Sequence, residues 1–283
     1  MLDSSPSVYS LIFFSFLTLL HVVLYLCKNR PNCFGSFQIF WILFLVTILS
    51  EWVSFSFALW TLAFLSFYVL REFISLVQIR IEDRLAILIS YLAIPFMFYL
   101  IYINWYGMFI IAIPVYFFLL VPFAVALEGN PTGIIFSAGV INFGLFFYVF
   151  CLGHFGYLVF FSGRMATLLI VIIAIVDFIY RFVAKKYVYV QLVIAVIFSV
   201  FAYLLSAEWS GIPYVHSLAL GFILPLIAYM GHLTLNEFEK DLGVRTDKLQ
   251  PGRGKYIDAT KLYLFTAPVV FHYLRWVLKW GEL

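Results

Sequence analysis

The chain has 283 residues, of which 65% are hydrophobic and 11% are charged, and its mean hydropathy is +1.07. A soluble domain carries about 25% charged residues, so this composition excludes a protein folded around one water-facing core. The net charge of +3 is too small to indicate nucleic-acid binding, and we expect none. Long unbroken apolar runs exclude a membrane β-barrel, whose strands alternate apolar and polar residues. The predicted fold is all-α, a polytopic integral membrane helical bundle.

Apolar segments follow one another along the whole chain, which we treat as a single transmembrane domain, 1–283, with about nine to ten transmembrane helices. The first, Val8–Cys27, has no Lys or Arg before it and is long enough to span, so we expect a true span and not a signal peptide. The second, Phe37–Ser50, is short, and it is either re-entrant or continues past Glu51. The other predicted spans are Val53–Leu70, Leu85–Ile103, Met108–Leu127, Ile134–Leu152, Met165–Tyr180, Val188–Leu205, Tyr214–Leu235 and Leu262–Trp280.

Basic residues are concentrated in alternate loops. When the spans are numbered in order, the even-numbered loops carry only Arg164, and the odd-numbered loops carry the rest of the loop Lys and Arg. The positive-inside rule therefore predicts that the odd-numbered loops are cytoplasmic and that both termini lie on the opposite side. Arg275 and Lys279, at the end of the last span, go against this trend, and we expect them to extend to the interface.

The segment 236–261 is predicted to be a cytoplasmic loop of unusual composition. It combines five carboxylates with six basic residues and contains the sequence Pro-Gly-Arg-Gly at 251–254. Pro and Gly predict a turn, and Gly lets a backbone approach a ligand closely. Backbone N–H groups in such a turn, beside Arg and Lys, suit a phosphate group. On composition alone, the alternative is a solvated basic loop that touches anionic lipid headgroups.

Residues 231–271 read GHLTLNEFEKDLGVRTDKLQPGRGKYIDATKLYLFTAPVVF. This stretch resembles the C-terminal signature of the phosphatidate cytidylyltransferases, also called CDP-diacylglycerol synthases, and it needs no gap between Pro251 and Pro268. Upstream, Leu70-Arg71-Glu72-Phe73 resembles the family's charged helix end, and the segment 152–158 resembles the helix before its first acidic motif.

The resemblance implies a membrane-embedded helical fold and a CTP-dependent reaction. The phosphate of phosphatidate attacks the α-phosphorus of CTP and gives CDP-diacylglycerol and pyrophosphate, a reaction that depends on positioning and on neutralisation of charge. It also implies Mg²⁺ held by carboxylates. The implied partners are a membrane lipid, either phosphatidate or another anionic phospholipid, and CTP or a related nucleotide; a homodimer is left open.

Candidate site residues follow from this resemblance together with the charge pattern. The expected catalytic residues are Asp258, Asp177 and Lys261, and the expected metal ligands are Asp258, Asp177 and Asp241. The residues expected to bind substrate phosphates are Arg253, Lys255, Gly252, Gly254, Lys185, Lys240 and Arg245.

The chain departs from the family's pattern at its acidic positions. His232 stands where the pattern has the Asp of its GD motif, and Lys261 replaces the second Asp of D-R-x-D, so that Asp258 alone remains of the three acidic metal positions in this half. A Lys ammonium about 4 Å from a metal opposes its binding by roughly 4 kcal/mol at an effective dielectric constant near 20.

Two hypotheses follow from these departures. A divergent enzyme would use Lys and Arg to neutralise phosphate, and it requires two carboxylates within about 5 Å of one point. A homologue without catalysis would bind an anionic lipid or support a membrane complex. A transporter or scramblase, the third possibility, would need a continuous polar path through the bilayer.

Overall fold

The computed structural model describes residues 33–182, 187–243 and 254–279, together with isolated helical positions between residues 12 and 23. Within these described ranges the chain forms helices and no strand, as predicted, and nine long helices follow in order. They are α1 (Cys33–Trp52), α2 (Phe55–Leu76), α3 (Arg84–Tyr102), α4 (Tyr106–Leu127), α5 (Ile134–Phe161), α6 (Gly163–Phe182), α7 (Val188–Ser210), α8 (Tyr214–Asp241) and α9 (Lys255–His272). A short 3₁₀ helix, Ile81–Asp83, precedes α3, and α9 continues in a π-helical turn, Tyr273–Val277.

Seven of these helices, α2 to α8, are long and apolar enough to cross a membrane, which confirms a polytopic helical bundle. The apolar part of α1, Ile39–Trp52, is shorter. Helix α9 is 18 residues long, but three charged residues lie in its first two turns: Lys255, Asp258 and Lys261.

Several helices run beyond the ends that hydropathy predicts. Helix α1 continues past Glu51 to Trp52, and α5 continues to Phe161. Helix α8 continues to Asp241 and α9 begins at Lys255, so the segment 236–261, which we expected to be a loop, is helical at both of its ends. At the facing ends of α8 and α9 hydropathy falls where polar residues begin, and there Glu239 of α8 and Lys261 of α9 pair between the two helices.

Contacts between helix ends divide the bundle into two ends. At one, the end of α2 contacts the start of α9, and the α2–α3 connection contacts the chain before α5. We call this the basic end. At the opposite end, the start of α6 contacts the end of α7, and the starts of α4 and α8 contact the end of α9. The side of the membrane that each end faces stays a prediction.

Helix α9 packs against α1, α2, α5, α6 and α8. Gly231 allows α8 to approach it closely, since a Cβ at this position would lie 2.8 Å from Cγ of Phe265. In lipid, where apolar burial gives little drive for helix association, such small residues set how closely two helices pack. This packing brings the polar end of α8 against the polar start of α9.

Candidate functional site

The last turns of α8 carry three polar side chains on one helix face. His232, Asn236 and Glu239 are spaced four and three residues apart, which places them one above another along the helix. Glu239 is buried, with 6% of its surface exposed. The face of α8 that they form is turned towards α9.

Lys261 of α9 lies at the centre of this contact. Its Nζ lies 2.7 Å from Oε2 of Glu239, 2.8 Å from Oδ1 of Asn236 and 3.2 Å from Oδ1 of Asp258. Only 2% of the Lys261 side chain is exposed. An ammonium group has three N–H donors, and each of these three oxygens can accept from it. We call these four residues the Lys261 cluster.

The cluster extends through Asn236 to His232. The side-chain amide of Asn236 accepts from Lys261 through Oδ1 and donates through Nδ2 to Nε2 of His232, at 2.9 Å. Nε2 of His232 therefore acts as an acceptor and carries no proton in this arrangement. The His232 ring lies 6.2 Å from the ring of Tyr180, between centroids. His232 thus accepts a hydrogen bond from Asn236 and extends the polar network along α8.

A third carboxylate, that of Glu72 on α2, fixes the start of α9. Oε2 of Glu72 accepts hydrogen bonds from the backbone N–H groups of Tyr256, at 2.8 Å, and Ile257, at 3.1 Å. The rings of Tyr68 and Tyr256 stack with centroids 6.1 Å apart. The first N–H groups of a helix lack partners within the helix and attract negative charge. Glu72 supplies that charge from within the chain.

The sequence-predicted catalytic residues are brought together only in part. Asp258 and Lys261 form an ion pair. Asp177 lies on α6 with 7% of its surface exposed, and its charge acts on the buried side chain of Tyr263, two residues beyond Lys261. Asp241 is the exposed last residue of α8, and the exposed side chain of Lys240 pairs with Glu237.

Most of the predicted phosphate-binding residues lie outside the described ranges. This applies to Gly252, Arg253, Lys185 and Arg245, and to the side chain of Lys255. Gly254 is buried, and its φ of 72° is left-handed. Glycine adopts this conformation without the steric cost that a side chain would add, and it directs the chain into α9.

The residues of the cluster do not fit a Mg²⁺ ion while Lys261 is in place. In the part of the chain that the structure describes, no group of three or more His, Cys, Asp or Glu residues could hold a metal. Two carboxylates do meet at one point, as the enzyme hypothesis requires, but they meet on the Lys261 ammonium. Whether the protein uses a metal elsewhere stays a prediction.

Sequence reasoning missed three members of this region, Asn236, Glu239 and Glu72. The spacing of Glu239 from Asn236 and His232 is a signal that could have placed it on their helix face. Glu72 belongs to the charged helix end 70–73, and nothing in the sequence pairs it with residues more than 180 positions away. Tyr148 of α5 is buried where both carboxylates act on it electrostatically, which places the two in one neighbourhood.

Comparisons with known proteins give one similarity over most of the chain and one over a short stretch. The chain is 22% identical over 248 residues, or 80% of each chain, to the uncharacterized protein YnbB of Escherichia coli K12. Over 56 residues, 19% of each chain, it is 36% identical to a phosphatidate cytidylyltransferase of Synechocystis sp.. No family model matches the chain, and no solved structure matches it.

Proposed function

We propose that the protein transfers a cytidylyl group from CTP to the phosphate of a membrane phospholipid, at the basic end between α8 and α9. One observation carries the proposal: a buried cluster of charged side chains lies within the stretch, 231–271, that resembles the cytidylyltransferase signature. Ionisable groups buried in a membrane protein are costly and mark functional sites by default. The short similarity to the Synechocystis cytidylyltransferase supports the same assignment.

In this reaction an oxygen of the lipid phosphate attacks the α-phosphorus of CTP, and the bond to the β-phosphate oxygen breaks, so that pyrophosphate leaves. The chain would contribute positive charge along the phosphates, from Arg253, Lys255 and the other basic residues of the α8–α9 connection. Lys261 and Glu72 would hold Asp258 and the first turn of α9 in place. Mg²⁺, if bound, would neutralise phosphate charge. The site would open to the cytoplasm, as the distribution of basic residues predicts.

A second candidate is a protein with the same architecture that binds an anionic phospholipid without turnover. It is favoured by the contacts of Lys261, since its three donors are matched by oxygens of the chain itself. The basic residues of the connection would then hold a lipid headgroup, as polybasic segments do at membrane surfaces.

The test is incorporation of radiolabelled CTP into lipid by the purified full chain in nanodiscs that contain phosphatidate. We expect CDP-diacylglycerol to form, and Asp258→Asn to reduce its rate at least tenfold. Arg84→Ala is the control, because Arg84 is an exposed basic residue at the same end, at the start of α3. The Arg84→Ala variant should form CDP-diacylglycerol at the rate of the native chain.

Absence of product with phosphatidate and with other lipid phosphates, with Mg²⁺ or Mn²⁺ present, would reject the enzyme. The second candidate then predicts selective binding of phosphatidate over phosphatidylcholine in liposome flotation, and equal binding of the two would reject it as well.

A further inference from the structure

Two basic residues, Arg275 and Lys279, lie at the end of the bundle opposite the basic end, where α9 finishes. Arg275 belongs to the π-helical turn Tyr273–Val277, and Lys279 is exposed just after it. Turns of this kind occur often at functional sites. Because the loop Lys and Arg other than Arg164 are predicted to lie on the cytoplasmic side, these two residues need a reason of their own.

The guanidinium of Arg275 is held in place by an aromatic ring. Its Cζ lies 3.8 Å from the centroid of the Tyr106 ring. The hydroxyl of Tyr106 lies 3.3 Å from Nδ1 of His272, which is one turn before Arg275 on α9, and the hydroxyl of Tyr273 lies 2.9 Å from Nδ1 of His216. These contacts fix the end of α9 against the starts of α4 and α8. Arg275 is therefore a positioned, half-buried side chain and not a freely extended one.

The contact with Tyr106 leaves the hydrogen-bond donors of Arg275 available. A guanidinium is planar, and its five N–H groups point outward in that plane, so a ring that lies against the central carbon does not use them. In the ranges that the structure describes, no oxygen accepts a hydrogen bond from the Arg275 side chain, and no carboxylate pairs with Arg275 or Lys279. A guanidinium in this condition can bind a phosphate through two parallel N–H···O bonds.

Exposed aromatic side chains mark this end of the bundle as the level of lipid headgroups. Trp and Tyr concentrate where a membrane meets water. At the helix ends here, side chains of this kind that are at least half exposed are Tyr102, Trp105, Tyr214 and Trp276. Arg275 directly precedes Trp276 and Lys279 follows it closely, so both charges lie at the level of phospholipid phosphates.

We propose that Arg275 and Lys279 form a binding site for the phosphate of an anionic phospholipid, in the leaflet opposite to the basic end. Arg275 binds the phosphate oxygens through its planar fork, and Lys279 adds a second positive charge. A lipid is favoured over a free phosphate ion because the site lies beside exposed apolar side chains, those of Trp276 and Val277. The proposal concerns lipid binding at this end alone and does not depend on CTP turnover.

The experiment measures lipid binding to the full chain in detergent by native mass spectrometry, with added phosphatidylglycerol or phosphatidylcholine. At this site the native chain should hold phosphatidylglycerol about tenfold more tightly than Arg275→Ala does, because charged hydrogen bonds are lost. Arg275→Gln, which keeps much of the side chain but not its charge, should weaken binding as strongly. Lys279→Gln should weaken it less. Lipid held at the basic end is common to all these chains, so the differences report on this site.

Two controls isolate the positioned guanidinium. Arg164→Ala removes the same charge at the same end of the bundle, but Arg164 donates to the backbone carbonyl of Trp209 on α7. Arg164→Ala should bind phosphatidylglycerol as the native chain does. Tyr106→Leu keeps Arg275 but removes the ring that positions it, and it should weaken binding.

The proposal is overturned if folded Arg275→Ala or Arg275→Gln binds phosphatidylglycerol as tightly as the native chain, or if the native chain binds phosphatidylcholine equally well. An equal loss in Arg164→Ala would overturn it too, because attraction by net charge alone would then explain the binding. Displacement of the lipid by an excess of inorganic phosphate would reveal a site for the free ion and would reject the lipid site. Lys279 is exposed, so Lys279→Gln should fold even if the Arg275 variants do not, and unchanged binding in that variant would also reject the site.

Discussion

At the basic end, two basic side chains, Arg80 and Lys261, pair with carboxylates, and the groups that surround these two side chains differ. Arg80 donates through Nε and Nη2 to the two carboxylate oxygens of Asp83, at 2.9 and 2.7 Å, and through Nη1 to the backbone carbonyls of Asn130 and Thr132. We call this the Arg80 clamp. In the Lys261 cluster the ammonium contacts side-chain oxygens of Asn236, Glu239 and Asp258, and two of these residues are carboxylates.

The two regions differ in what their contacts hold together. The Arg80 clamp joins one guanidinium to the carboxylate of Asp83, and its bonds to backbone carbonyls hold the α2–α3 connection against the chain before α5. The contacts of Lys261 with Asn236 and Glu239 instead hold α9 against α8, with the ammonium almost fully buried.

The largest expected effect is that of Lys261→Met. Removing one partner from a buried ion pair costs about 3–5 kcal/mol, because it leaves uncompensated buried charge. The melting temperature of the purified chain in detergent should fall accordingly. The double variant Lys261→Met/Glu239→Gln should melt at a higher temperature than Lys261→Met alone, and a double variant that melts lower would show that Glu239 carries no uncompensated charge.

Arg80→Met should have a smaller effect, of about 1.5–3 kcal/mol, which is the usual range for hydrogen bonds to a charged group. The side chain of Asp83 is fully buried and would lose its partner, while that of Arg80 is 16% exposed. The same thermal melt measures the effect. A loss of stability as large as that of Lys261→Met would break the distinction between the two regions.

Glu72→Ala should cost about 1 kcal/mol, as the loss of a helix cap does. The carboxylate accepts from two N–H groups at the start of α9, and a Gln at this position keeps an acceptor oxygen. Glu72→Gln should therefore lose less stability than Glu72→Ala. The exposed Glu82→Ala is the control, and an equal loss from all three variants would refute the capping role.

The smallest expected effect is on how the stability of the fold depends on pH. Burial alone would raise the pKa of Asp83, but the hydrogen bond and positive charge of Arg80, together with the hydroxyl of Ser137, outweigh it, and the pKa is lowered. A carboxyl with a lowered pKa stabilises the fold above its unfolded-state value, near 3.9 for Asp, and loses that contribution as the pH falls through the lowered value. The stability difference between the native chain and Asp83→Asn should thus be constant near neutral pH and vanish in strong acid. A difference that grows on acidification would contradict this.

The contacts of the Arg80 clamp are easier to predict from the sequence than those of the Lys261 cluster. Arg80 and Asp83, like Asp258 and Lys261, are three residues apart, so each pair can be found from local spacing. Glu239, a partner of Lys261 on α8, is 22 positions away from it, and Glu72 is 184 positions away from Tyr256. Only the packing of the helices brings the members of each pair together. Hydropathy located the spans well, but not the ends of α8 and α9, because Glu239 and Lys261 at these ends are buried and pair between the two helices.

The most direct measurement is an experimental structure of the native chain prepared with Mn²⁺, using the anomalous signal of manganese to locate any ion. The account predicts Nζ of Lys261 within hydrogen-bonding distance of Glu239, Asn236 and Asp258, with no manganese peak among them. A peak between Glu239 and Asp258, with the lysine displaced, would contradict it.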